Sequence, residues 1–178
     1  AIAIIVVFVA VQMTAARTAN HVDRIDNGYI PKLELSRDLV ETLAQIQRGL
    51  QDAASAADPQ ILGETDELRE SFVSRLQQER TNPVIDLEES KQLERSFNDY
   101  YDLARDTTQR LIAAETGDAV FAALERMRDD YLGLKETLES FAESARTDVD
   151  RAVDEVQRSQ RNARILVFIV LLISAVFL

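Results

Sequence analysis

VFAALERMRDDYLGLKETLESFAESA, running from Val120 to Ala145, carries the pattern on which the fold turns. Its apolar positions are Val120, Leu124, Met127, Tyr131, Leu134, Leu138, Phe141 and Ala145, separated by alternating steps of four and three. That spacing puts one apolar stripe along a helix. It averages 3.5 residues, which selects left-handed, near-parallel packing against other helices. Three upstream segments repeat it. The first runs Leu39, Leu43, Ile46, Leu50, Ala53, Ala57. The second gives Ile61, Thr65, Leu68, Phe72 and, less cleanly, Leu76, and the third gives Leu93, Phe97, Tyr100, Ala104, Thr107, Leu111 and Ala114.

Three breaks divide these segments. At Ala57-Asp58-Pro59, Asp58 suits an N-cap and Pro59 the first helical position. At Thr81-Asn82-Pro83, Asn82 is expected to play the same capping part, with Asp86, Glu88 and Glu89 favouring the positive end of the helix dipole. At Glu115-Thr116-Gly117-Asp118, Gly117 suits the position just past a helix end and Asp118 the next cap. Short connections favour antiparallel neighbours. The expected fold is all-α: an antiparallel up-down-up-down four-helix bundle.

A helix from Met13 to Ala57 would rise about 67 Å, and one from Asp118 to Ala163 about 69 Å. The second helix, Pro59 to Arg80, covers only about 33 Å and turns back halfway. Beyond that point each chain has only two helices, with stripes Val22, Ile25, Tyr29 and Val149, Ala152, Val156. A second copy would bury them, so a parallel homodimer is expected. Pro31 removes a backbone donor inside the first helix and predicts a kink near Asn27. Gly28 beside it fits a flexible joint, a tolerated bend, or a helix that starts at Pro31.

Both ends of the chain are apolar. Ala1 to Val11 reads AIAIIVVFVAV and Ile165 to Leu178 reads ILVFIVLLISAVFL, with no charge in either. A spanning helix needs roughly 20 apolar residues, so both are read as truncated spans. Residues 1–16 are assigned to a first transmembrane helix, 17–164 to the helical domain and 165–178 to a second transmembrane helix. The expected location is the inner membrane, with the helical domain extracytoplasmic. Arg17, Arg24, Arg151, Arg158, Arg161 and Arg164 flank the runs on the domain side. The positive-inside rule would turn them to the cytoplasm, but it weakens for long loops.

Composition excludes several classes. The net charge of -11 opposes nucleic-acid binding, which needs a basic footprint. Cysteine is absent and His21 is the only histidine, so thiolate and histidine-rich metal sites are not expected. Five Gly and three Pro in 178 residues suit long helices rather than strands. No phosphate loop, G-x-S-x-G or H-E-x-x-H occurs. Neither a catalytic residue nor a cofactor is expected, and the region is not read as an enzyme, although a separate output module could be a kinase.

The layout of apolar run, four-segment bundle and apolar run resembles the sensory domains of bacterial methyl-accepting chemoreceptors and sensor histidine kinases. The resemblance covers the whole chain. Its most suggestive pieces are Phe97-Asn98-Asp99-Tyr100-Tyr101-Asp102-Leu103-Ala104, the break Glu115-Thr116-Gly117-Asp118-Ala119, and Ala122-Ala123-Leu124-Glu125-Arg126-Met127 leading into the second apolar run. It implies signal transduction, in chemotaxis or a two-component system, in which a periplasmic ligand or a loaded binding protein displaces a helix. The family also implies a small anionic ligand held by arginines of the first helix.

Arg37 and Arg48 lie 11 residues apart, three turns, on one flank of that helix. A guanidinium fork suits carboxylate or nitrate oxygens. The plainer reading pairs Arg37 with Glu34 or Glu41, and Arg48 with Asp52. Arg69, Arg75, Arg105 and Arg110 are weaker candidates. Tyr101 and Thr108 are further ligand candidates, set beside Tyr100 and Thr107 so that one of each pair can face a polar pocket. The chain lacks the three clustered arginines of the family's amino-acid receptors. A second reading is a membrane-anchored dimeric scaffold or spacer that recruits a partner protein.

Overall fold

The structure, a computed structural model, describes residues 22–176. The first apolar run, assigned to residues 1–16, lies outside them, as does His21. The described residues form helices and no strand. A helical turn at residues 22–24 leads into a π-helical turn, Ile25–Tyr29. Four helices follow: α1 (Ile30–Ala56), α2 (Ile61–Gln78), α3 (Leu87–Ile112) and α4 (Asp118–Val176). A short 3-10 turn, Glu79–Thr81, ends α2. The packing fits a helical bundle.

Each boundary has a local cause. Helix α1 ends where Ala57 takes a left-handed φ of 51° and the Asp58 amide reaches back to the Ala53 carbonyl at 3.1 Å. Asp58 then accepts from the Gln60 amide at 2.8 Å, which satisfies a donor at the start of the next helix. The second break differs from expectation. Asp86, rather than Asn82, caps α3 by accepting from the Glu88 and Glu89 amides at 2.9 and 2.8 Å. The Asn82 side chain instead accepts from the Val84 amide at 3.1 Å, a local turn that lets Ile85 dip into the core. The third break differs too. Ala114, not Gly117, is the left-handed residue that ends α3, with φ 57°, and the Glu115 amide bonds the Arg110 carbonyl at 2.9 Å. Gly117 opens α4 instead, its carbonyl accepting from Val120 and Phe121.

The described chain divides into two compact units, Pro31–Ser144 and residues 22–30 with 145–176. The larger holds the core. Leu39, Leu43, Ile46, Leu50 and Ala53 of α1 meet Leu62, Phe72 and Leu76 of α2, then Leu93, Phe97, Tyr100, Tyr101 and Ala104 of α3, and Leu134, Leu138 and Phe141 of α4. Leu124, Met127 and Tyr131 of the expected α4 stripe are only half-buried. One charge sits on the α1 stripe: Lys32 is buried, with its ammonium 4.5 Å from the centre of the Phe141 ring, a cation–π contact.

In the smaller unit Gly28, Ala145 and Ala152 are buried, Ile25, Tyr29, Val149 and Val156 are half-buried, and Val22 and Val153 are exposed. No helix among the described residues is long and apolar enough to cross a membrane. This corrects the expectation of an inner-membrane protein with two spans and an extracytoplasmic domain. The apolar run beginning at Ile165 supplies 12 positions before α4 ends at Val176, against the roughly 20 that hydrocarbon thickness demands.

Candidate functional site

The four residues singled out for ligand contact fall into two environments. Arg37 and Arg48 are exposed on α1. Neither makes an ion pair or hydrogen bond with another described residue, so the local pairings with Glu34, Glu41 and Asp52 do not form. Tyr101 and Thr108 are buried on α3, and both hydroxyls are already bonded. Thr108 donates to the Ala104 carbonyl at 2.8 Å.

Tyr101 anchors a polar cluster that ties α2 to α3. Its hydroxyl donates to the Asp66 carboxylate at 2.8 Å and lies 2.9 Å from the Thr65 hydroxyl. Arg105, one turn further along α3, forks onto the same carboxylate at 2.8 and 2.9 Å. Arg69 lies 5.1 Å from the centre of the Tyr101 ring, donates to Asn98 Oδ1 at 2.9 and 3.1 Å and pairs with Asp102 at 3.2 Å. The fork from Arg105 holds the Asp66 carboxyl below its ordinary value of 3.8, the Tyr101 hydroxyl adding to it and burial opposing it. A lowered carboxylate supports folding fully above its unfolded value and loses that support as pH falls through its lowered one. Burial pushes the Tyr101 hydroxyl up to about 12.

The other weaker arginine candidates are also paired, one across helices and one locally. Arg75 pairs with Asp38 of α1, and Arg110 with Glu115. Sequence reading missed Asp66 altogether. The signal available was Asp66 and Arg69 three apart on one segment, against Asp102 and Arg105 three apart on the next, an acid and a base on each.

Beside Tyr101, Tyr100 has a different fate. It is fully buried, yet its hydroxyl has no partner among the described residues. Burial, with Tyr131 nearby, pushes its pKa up. An unbonded buried hydroxyl is destabilising, whereas a bonded one contributes. Tyr100→Phe should therefore raise stability by about 1 kcal/mol and Tyr101→Phe lower it by about as much. Urea unfolding of both variants reads the result; equal signs would contradict these hydrogen-bond assignments.

An open groove of ≈ 620 Å³ lies between α3 and α4, with Leu93 and Leu134 in its lining and Glu89, Asp99, Asp129 and Asp130 around them. Arg126 also lines it. A smaller one of ≈ 190 Å³ lies between α1 and α2 near Asp38 and Arg75. No group of three or more His, Cys, Asp or Glu among the described residues could hold a metal ion. The sequence matches no protein-family model, and neither curated proteins nor solved structures include a significant match to it.

Proposed function

We propose that the chain is the sensory region of a bacterial signal-transducing receptor of the chemoreceptor or sensor-kinase kind. Its bundle is antiparallel, up-down-up-down, and a stimulus is relayed by displacement of a helix towards an output module. One observation carries the reading: α4 runs from Asp118 to Val176 without a break and contributes to both compact units. A helix moves as a rod because each turn is bonded to the next, and heptad-like packing along the stripe tolerates small shifts. An effector can drive such a shift only through its different affinities for the two arrangements.

Arg37 and Arg48 are the arginines through which an anionic stimulus would act. They share a flank of α1 and have no carboxylate partner among the described residues to displace. A thermal-shift screen of acetate, succinate, nitrate and sulfate on the whole chain tests this. One anion should raise the melting temperature by roughly 5–10 °C at about 100 times its dissociation constant, and Arg37→Ala and Arg48→Ala should each abolish the shift. A shift that survives both changes retires the site.

A dimeric scaffold that recruits a partner protein is the second reading. It is favoured by Val22, Ile30 and Val153, exposed at 42%, 38% and 39% in the smaller unit. A second copy placed there would cover them. Sedimentation equilibrium decides: a monomer at all concentrations removes the dimer from both readings.

A further inference from the structure

The π turn at Ile25–Tyr29 has an identifiable cause. Pro31 has no N–H, so the Asn27 carbonyl loses the donor that an α-helix would supply, and the pyrrolidine ring crowds it. The chain answers with a wider turn, in which the Ile30 amide bonds the Ile25 carbonyl five residues back. A π turn holds one residue more than an α turn. Each extra residue withholds about 100° of rotation from everything upstream.

The effect is visible before the turn and within it. Three-four spacing puts Val22, Ile25 and Tyr29 on one stripe, yet Val22 is 42% exposed while Gly28 is buried. Arg24 lies 5.8 Å from the centre of the Tyr29 ring and donates to its hydroxyl at 3.4 Å. Those two residues are five apart, a separation that a π turn brings into line and an α turn splays. The Arg24–Tyr29 contact therefore marks the wide setting.

We propose that this turn is a phase switch. Residues 22–24 alternate between the π setting, with Val22 outward and Arg24 over Tyr29, and a proline-kinked α setting that rotates Val22 by about 100° onto the stripe of Tyr29. The two settings differ by little more than one backbone hydrogen bond and one cation–π contact, so a modest bias can exchange them. The switch deepens the relay reading and rests on it for its use, not for its geometry.

The chain has no cysteine, so labels can be placed at will. Nitroxides on the exposed pair Val22→Cys and Val153→Cys, measured by pulsed electron–electron resonance, should give two distance populations. Pro31→Ala removes the cause of the wide turn, and Arg24→Ala removes the contact that favours it. Both should enrich the same population. Deleting Asn27 takes out the extra residue and should leave that population alone. A single distribution in the parent overturns the switch, whether Pro31→Ala moves it or not, since the turn is then a fixed adaptor. Two populations indifferent to both point variants overturn it as well. If the anion screen fails while the two populations persist, the relay reading falls and the switch stands.

Discussion

Replacing Phe97 with alanine should lower stability by about 3–5 kcal/mol. The side chain is fully buried, and its ring lies parallel to that of Phe72, with centroids 3.6 Å apart and planes 9° from each other. The Tyr101 ring is tilted against it, with centroids 6.3 Å apart. Truncation removes the transfer energy of a whole ring and opens a cavity that two rigid aromatics cannot collapse to fill. Domains are stable by only about 5–15 kcal/mol, so the loss is a large share of the total. Urea unfolding measures it directly. A loss below about 1 kcal/mol would place Phe97 at the surface and undo the α2–α3 contact. Phe97→Leu keeps most of the volume and should cost about half as much or less.

Gly49 should show a change of sign that depends on a residue 16 positions away. A methyl group added to Gly49 would stand 2.7 Å from Cγ2 of Thr65. Thr65 cannot simply turn aside, because its hydroxyl donates to the Leu62 carbonyl at 2.8 Å and meets the Tyr101 hydroxyl at 2.9 Å. Gly49→Ala should therefore destabilise by about 1–3 kcal/mol through overpacking, partly offset by about 1 kcal/mol of better helix propensity. Thr65→Ser keeps the hydroxyl and deletes the methyl. In that background only the propensity gain remains, and Gly49→Ala should become stabilising. A double-mutant cycle followed by thermal unfolding isolates the coupling. Additive effects would mean that α1 and α2 do not approach each other at this point.

Much of the core was legible because the stripe of α1 buries as its spacing predicts. Leu39, Leu43, Ile46, Leu50 and Ala53 all do so. The stripe of α3 is broader than a three-four spacing implies: Tyr101 and Thr108 are buried along with Tyr100 and Thr107. Helix ends were harder. Gly117 and Asn82 have the right chemistry for the parts assigned to them, but Ala114 accepts the left-handed conformation and Asp86 lies nearer the first apolar turn of α3. Pro31 announced a disturbance near Asn27 without saying that the turn would widen rather than bend. The arginine partners were illegible for a geometric reason. Local rules see neighbours three or four apart, whereas Asp66 and Arg105 meet across helices, and that register is set by packing.

Lys32 has a consequence for sliding along the bundle. Its ammonium ends the apolar stripe of α1 and rests on the face of Phe141. An axial slip of α1 by one turn, about 5.4 Å, would pull the charge off the ring. The larger unit thus resists a full-turn ratchet by the worth of that contact, about 0.5–2 kcal/mol, while small excursions keep it.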